Sequence, residues 1–204
     1  MIDLYSVPTG NGQKVHIMLE ECGLAYTPHL VDLKGGAHRQ ADFLRMNPNS
    51  RVPVIVDHDA GGFAVSESSA ILTYLAEKSG KFMPTDLKGR TIVQQWLSAV
   101  ASNMGPLFRG VFVFSHVVQG KHDETINYFK GEIDKAYAML DKELATRPYL
   151  AGDEYTIADI SAFPNVVTTA FMSPRGIDPY PNLQKWAAKI GERPAVQRGL
   201  KLFK

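Results

Sequence analysis

The sequence predicts an α/β domain followed by an all-α domain. Three observations carry this. Over residues 1–80, short apolar runs of strand length alternate with helical periodicity. Over 81–87 the periodicity lapses, with Gly80, Pro84 and Gly89 close by, as in a linker. From 88 to 204 only helical spacing recurs.

Ile2–Val7 reads as the first strand. Asn11-Gly12-Gln13-Lys14 opens a helix with Val15, Met18, Leu19 and Cys22 on one face, and Gly23 supplies its C-cap. Tyr26–Val31 is a second strand, and residues 42–46 form a short helix ended by Asn47-Pro48-Asn49. Val52–Val56 and Phe63–Val65 are strands separated by Asp59-Ala60-Gly61-Gly62. Ser66-Glu67-Ser68-Ser69 then starts a helix with Ala70, Ile71, Tyr74 and Leu75 inward. This order implies a parallel pair joined by a helical crossover, then a hairpin and a helix. In the second domain Trp96, Val100, Met104, Leu107, Val111 and Phe114 mark one long helix. Gly105-Pro106 inside it predicts a kink, because proline cannot donate to the carbonyl four residues back. Ile126 to Leu144 is a further helix, and Thr156-Ile157-Ala158-Asp159 begins another as a capping box with Asp in the Glu position. Helices over 181–190 and from Pro194 complete the chain, which holds no internal repeat.

The 204 residues carry 22 Lys plus Arg against 21 Asp plus Glu, a net +1 that argues against a nucleic-acid partner. The one cysteine, Cys22, excludes an internal disulfide, CxxC redox chemistry and thiolate zinc clusters, and suits a reducing compartment. Its place on an apolar helix face makes it a structural thiol. Asp3 interrupts any secretory signal, and no apolar run reaches the roughly 20 residues of a membrane span. A cytoplasmic protein with no membrane partner is expected. His16, His29, His58, His116 and His122 share no metal-ligand spacing, so no metal is expected.

Three segments can carry chemistry. Val52-Pro53 opens a strand with a residue that cannot donate to a ladder, which belongs at an edge or a turn. If cis, it would leave the Val52 backbone free to pair with an extended peptide; if trans, the commoner state, it merely trims the edge. Ser66-Glu67-Ser68-Ser69 offers hydroxyls and free N–H groups at a helix start beside a carboxylate. That suits an amino-acid head, although plain N-capping by Ser66 or Ser68 is the simpler reading of these residues alone. The loop Tyr5-Ser6-Val7-Pro8-Thr9-Gly10-Asn11-Gly12 joins a strand to a helix, where open α/β sheets bind ligands. Thr9 and Asn11 can donate to a thiolate, or Asn11 can simply be the N-cap. The glycine spacing there is not a dinucleotide or Walker fingerprint.

Taken together, these features resemble a cytosolic glutathione S-transferase over essentially the whole chain. The resemblance rests on the first domain without CxxC, Val52-Pro53 before the third strand, Glu67-Ser68 opening the next helix, and Thr156-Ile157-Ala158-Asp159-Ile160. Pro8-Thr9-Gly10-Asn11-Gly12-Gln13-Lys14 is most similar to the bacterial nu class, with Gly10 where that pattern prefers proline. The resemblance implies a thioredoxin-like first domain, a helical-bundle second domain and a homodimer. It implies a cis Pro53, with the Val52 backbone pairing with the cysteinyl unit of glutathione. Glu67 and Ser68 would hold the γ-glutamyl ammonium and carboxylate, and His38 the glycyl end. Thr9 and Asn11 would face the sulfur as the catalytic pair. Phe108, Arg109 and Phe112, with His116, would wall the electrophile pocket, or serve helix packing and a dimer face instead. No activating tyrosine, serine or cysteine of the kind other classes use stands out, although Tyr5 and Ser6 are near.

The expected activity is conjugation of the glutathione thiolate to electrophiles. Reduction of disulfides by two glutathiones is the alternative, and a non-catalytic partner-binding protein on the same fold is the third.

Overall fold

The computed structural model describes residues 1–168 and 172–203. By its contacts the chain divides into two units, Met1–Met83 with Glu192–Lys204, and Pro84–Gly191.

In the first unit the order is β1 (Ile2–Ser6), α1 (Gly10–Cys22), β2 (Tyr26–Leu30), α2 (Ala41–Met46), β3 (Val54–Asp57), β4 (Phe63–Ser66) and α3 (Ser68–Ser79). A short 3₁₀ turn, Ala37–Arg39, precedes α2. The sheet runs β2-β1-β3-β4, with β1 parallel to β2 and antiparallel to β3, and β3 antiparallel to β4. Along β1 the side chains alternate, and Ile2, Leu4 and Ser6 are buried. Ile17, Met18 and Leu19 of α1 and Ile71, Leu72 and Leu75 of α3 are likewise buried. α1 ends as predicted on Gly23, whose φ of 68° is the left-handed conformation a side chain resists.

The last helix, α9 (Pro194–Lys201), packs on α1 within this unit. The sequence placed it with the helical domain. Two contacts tie it to α1 instead. Arg193 donates twice to the Glu21 carboxylate at 2.5 and 2.8 Å, and Arg198 donates to Glu20 at 2.6 Å. At Gly199 a Cβ would lie 2.7 Å from the Ile17 Cα, so only glycine lets the two helices approach this closely.

The second unit contains α4 (Leu87–Ala99), α5 (Gly105–His116), α6 (Asp123–Leu144), α7 (Ile157–Thr168) and α8 (Pro181–Gly191). The expected single long helix is α4 and α5 joined through a π-helical turn, Val100–Met104. The turn sits immediately before Pro106 and absorbs its missing donor: the Gly105 N–H reaches back to the Val100 carbonyl. One extra residue in the turn shifts the helical phase. The buried line therefore continues through Phe108 and Val111, where simple spacing had pointed to Leu107. The continuous run Leu87–His116 is long and apolar enough by length and composition to cross a membrane. Its apolar residues recur at helical spacing, which is why no unbroken apolar run shows in the sequence, and Val93, Leu97, Val100, Met104, Phe108 and Val111 are buried.

Asp159 organises this unit. It is fully buried and accepts from the Leu150 N–H at 2.9 Å, the Thr156 N–H at 3.0 Å, the Thr156 hydroxyl at 3.3 Å and the Trp186 indole N–H at 2.9 Å. The expected capping box is present in altered form, because the Thr156 hydroxyl accepts from Ala158 N–H rather than from Asp159. Burial raises the Asp159 pKa against the pull of these donors. Asp141 on α6 accepts from the Asn182 and Leu183 N–H groups at 2.7 and 2.9 Å, which caps α8.

Replacing Asp159 by alanine strands three buried N–H donors, each worth about 1–3 kcal/mol when left unpaired. We expect Asp159→Ala to lose about 3–5 kcal/mol of stability. Urea unfolding checks it, and a loss below about 1 kcal/mol would remove the hub role.

Candidate functional site

The sheet register brings the candidate segments to one end. Tyr5 is paired with Val54, Val54 with Ser66, and Ser6 with Leu30. The loop after β1, the segment after β2 that carries His38, the approach to β3 through Val52-Pro53, and Glu67 after β4 all leave the sheet on that side. Strands are about 4.8 Å apart, so Glu67 and the β1–α1 loop stand roughly 10 Å apart across β3. An extended tripeptide has the same reach, at about 3.3–3.6 Å per residue.

The β1–α1 loop is drawn tight by Gly12, where a Cβ would lie 2.1 Å from the Val7 carbonyl oxygen. Thr9 is the N-cap residue of α1, but neither it nor Asn11 caps the helix with its side chain. Both side chains are exposed and available to a ligand. The Asn11 Oδ1 accepts instead from the Lys14 Nζ at 2.9 Å. Ser6 is not a free hydroxyl, and the Tyr5 ring is packed against the sheet. Ser6 is fully buried, with its Oγ 2.8 Å from His16 Nε2, and Tyr5 stacks on His29 and packs against Val7, Val31, Phe43 and Val54.

Gln13, Lys14 and His16 are buried as well, so every residue of α1 from Gly12 to Leu19 is inside. Sequence reasoning missed these polar residues. The signal available was the stripe Lys14, Met18, Cys22 at four-residue spacing, which puts a cation on an apolar line. Burial is the sole cause that lowers the Lys14 pKa, to about 8. His16, edge-on to Phe203, is drawn down from 6.5 to about 4 by burial, partly offset by a hydrogen bond with the Gly199 backbone.

The Val52–Pro53 peptide is cis. The edge expected here is not an edge: β3 is paired on both sides, and Pro53 stands one residue ahead of the ladder. The reason is the turn before it, which carries Val52 past the end of β1. Among the described residues neither the Val52 N–H nor its carbonyl has a partner. The turn itself is braced: Asn47 Nδ2 donates to the Arg51 carbonyl at 2.8 Å, and Ser50 Oγ donates to the His38 carbonyl at 2.7 Å. His38 is thereby held against the Val52 approach.

Glu67 is the N-cap residue of α3, with φ 68° and ψ 117°, and no side chain caps the helix. Capping by Ser66 or Ser68 therefore does not occur. A non-glycine residue at positive φ stores strain of about 1–3 kcal/mol, as functional positions often do. The first helical bond of α3 runs from the Ile71 N–H to the Glu67 carbonyl at 2.9 Å, so the earlier N–H groups are open to an anion. Asn49 Nδ2 stands 3.5 Å from the Glu67 carboxylate.

On α5 the four pocket candidates part company, and His116 is exposed with its ring centroid 5.3 Å from that of Phe112. Phe108 is buried beside Tyr137, with ring centroids 6.3 Å apart, and serves helix packing. Arg109 and Phe112 are exposed. Cys22 is buried, 3.3 Å from the Ser79 hydroxyl, and burial raises its pKa. Among the described residues no group of three or more His, Cys, Asp or Glu side chains is placed to hold a metal ion.

The chain is similar to known proteins over nearly its whole length. The family model described as Glutathione S-transferase, N-terminal domain, matches residues 11–78, and that of the C-terminal domain matches 87–189. The disulfide-bond oxidoreductase YghU of Escherichia coli is 40% identical, over 97% of this chain and 73% of its own. The disulfide-bond oxidoreductase YfcG of the same organism is 38% identical, over 98% of this chain and 94% of its own. A crystal structure of a glutathione transferase from Pseudomonas putida, with one glutathione disulfide bound per subunit, superposes with a TM-score of 0.90 at 36% identity. It covers 100% of this chain and 92% of that one.

The buried His16 makes stability pH-dependent. The unfolded chain binds this proton near pH 6.5 and the folded chain only near 4. Its contribution is constant above about 6.5 and stability falls as pH drops between the two, by about 3 kcal/mol in all. Thermal unfolding of His16→Gln, which keeps a partner for Ser6 but does not titrate, should fall less steeply from pH 7 to 4.5. Equal slopes in the two proteins would exclude this origin.

Proposed function

The chain belongs to the glutathione S-transferase family, and from that premise we propose that it is a glutathione-dependent enzyme whose bound thiolate reduces disulfides. The observation that carries the glutathione site is the unpaired Val52 backbone, set between the open N-terminus of α3 and the exposed Thr9 and Asn11. In this reading Val52 pairs with the cysteinyl unit through N–H and C=O. Glu67 takes the γ-glutamyl ammonium, and Ser68 with the α3 N–H groups takes its carboxylate. His38 meets the glycyl end, and Pro53 shapes the approach. Held at both ends and the middle, the tripeptide presents its sulfur to Thr9, Asn11 and the α1 N-terminus.

Those donors ionise the thiol. A cysteine-like thiol near pKa 8.5 needs about one to two units of lowering, about 1.4–3 kcal/mol, to be largely thiolate at neutral pH. One or two hydrogen bonds to a charged acceptor supply that, so no general base is required. The thiolate attacks one sulfur of a disulfide, and a new S–S bond forms as the old one breaks. The departing thiolate takes a proton from water. A second glutathione thiolate attacks the mixed disulfide, releasing glutathione disulfide and the second thiol. Two glutathiones supply both electrons. The protein's own thiol takes no part, since Cys22 is buried beside Ser79.

Disulfide reduction is placed ahead of conjugation because the relatives YghU and YfcG are named disulfide-bond oxidoreductases and the Pseudomonas putida protein binds glutathione disulfide. Conjugation uses the same thiolate against a carbon electrophile, and family membership supports it as a second activity. Arg109 and Phe112, exposed on α5, are the side chains we assign to the second substrate, with Phe108 supporting them from the core. The protein works as a cytoplasmic homodimer in this reading.

Calorimetric titration of glutathione and its disulfide tests the site. Glu67→Gln should weaken glutathione binding by about tenfold or more, the loss of one charge-assisted hydrogen bond. Asn11→Ala should leave binding within about threefold yet lower turnover of a small-molecule disulfide at pH 7 by about tenfold. Turnover of a chloronitrobenzene exceeding that of the disulfide would make conjugation the principal reaction. Absence of binding to either form of glutathione would leave a partner-binding protein.

A further inference from the structure

The second turn of α1 opens with a lysine where a helix inside a fold has little use for one. Lys14 is 2% exposed and among the largest fully buried side chains. Among the described residues its ammonium has one partner, the Asn11 Oδ1 at 2.9 Å, and no carboxylate within ion-pair distance. An unpaired buried cation costs several kcal/mol, and an apolar side chain of the same length would fill the space without that penalty. Stability therefore does not explain it.

Its chemistry does something specific to Asn11. A lysine ammonium has only donors, so the amide atom facing it must be the oxygen. That fixes the amide flip and turns Nδ2 to the opposite side, where among the described residues it has no acceptor. Asn11 itself is exposed at the α1 N-terminus, beside the exposed Thr9. Burial lowers the Lys14 pKa to about 8, so the ammonium that Asn11 Oδ1 accepts from stays mostly protonated at neutral pH.

We propose that Lys14 is a positioning residue for the bound thiolate: its buried ammonium fixes the Asn11 amide with Oδ1 inward, leaves Nδ2 to donate to the glutathione sulfur, and finds in that sulfur's negative charge the counterion it lacks in the free protein. This rests on the placement of the sulfur at Asn11 made above. The chain of donors, Nζ–H to Oδ1 and Nδ2–H to sulfur, is polarised in one direction, so each bond strengthens the other. Lys14 never touches the sulfur. It acts through Asn11 and through its charge, in surroundings where little water screens it.

The bound thiol's ionisation, followed by ultraviolet thiolate absorbance against pH, tests this in the complete protein. Lys14→Met, apolar and of similar length, should raise the bound thiol pKa by about one unit, leaving about three- to eightfold less thiolate at neutral pH. Glutathione affinity should stay within about threefold. Lys14→Gln keeps a donor for Asn11 without the charge and should fall between the two. In an Asn11→Ala background Lys14→Met should have no further effect beyond about twofold. An unchanged thiol pKa in Lys14→Met, or the full effect persisting without Asn11, overturns the proposal. If Asn11→Ala itself leaves the thiol pKa unmoved while glutathione still binds, the placement of the sulfur fails and this role with it.

The wild-type protein gives a second measurement that needs no variant. By linkage, a thiolate that lowers its own pKa through Lys14 must raise that of Lys14 equally. The ε-carbon resonance of Lys14 should titrate at higher pH with glutathione than in the free protein, and S-methylglutathione, which cannot ionise, should leave it in place. Glutathione that binds without moving the midpoint overturns the proposal alone, whereas glutathione that does not bind overturns the site reading itself.

Discussion

The close seating of α1 on the end of β1 is the constraint from which the rest of the first unit follows. A hydrogen is all that fits at Gly12 against the Val7 carbonyl. Because the helix starts there, Thr9 and Asn11 sit at its open end, and Lys14 and His16 are carried inward one turn later. The opposite side of α1 is clamped by α9 through Gly199 and two arginine–glutamate pairs. In the proposed reading, the N-terminal dipole of α1 and the exposed Thr9 and Asn11 are the preorganised donors that electrostatic catalysis requires.

The two units solve the problem of buried polarity differently. In the helical unit, Asp159 draws four donors to one carboxylate, and every group in the cluster is satisfied. Such a network fixes a packing arrangement and has nothing left over for a ligand. Around the proposed glutathione site the accounts stay open. The Val52 backbone, the first N–H groups of α3, the Thr9 side chain and the Asn11 Nδ2 lack, among the described residues, partners that a purely structural segment would have found. Glu67 is held at positive φ there as well. Unsatisfied groups and strain collected at one end of a sheet are the mark of a surface built to be completed by something else.

The buried polar residues of α1 illustrate a trade between stability and function. His16 is buried neutral, bonded to Ser6, and weakens the fold in acid. Lys14 is buried with one partner and is a standing liability in the free protein. A helix chosen for stability alone would carry apolar residues at both positions. Retaining them makes sense where the environment of a sulfur has to be set rather than merely enclosed.

The sequence by itself determined the two-part architecture, because strand-length runs, helical periodicity and Gly23 act through local physics that neighbouring residues already contain. It also brought Thr9, Asn11, Val52, Pro53, Glu67 and Ser68 forward as candidates, since loop chemistry and an X-Pro before a strand are short-range signals, whereas His38 came only through the family resemblance. Tertiary structure decided the remainder. Whether Ser68 caps α3 or leaves it open depends on how Glu67 is held after β4. That Pro53 precedes an interior strand depends on pairing with both β1 and β4. Phe108 turned into the core because a π-helical turn before Pro106 shifted the phase, an adjustment that spacing alone does not encode. Lys14 was read as the polar start of a helix, and only the layers closing over α1 from every side made it a buried cation. Burial is a property of what packs against a residue, and those partners are drawn from as far away as α9, more than 170 residues along the chain.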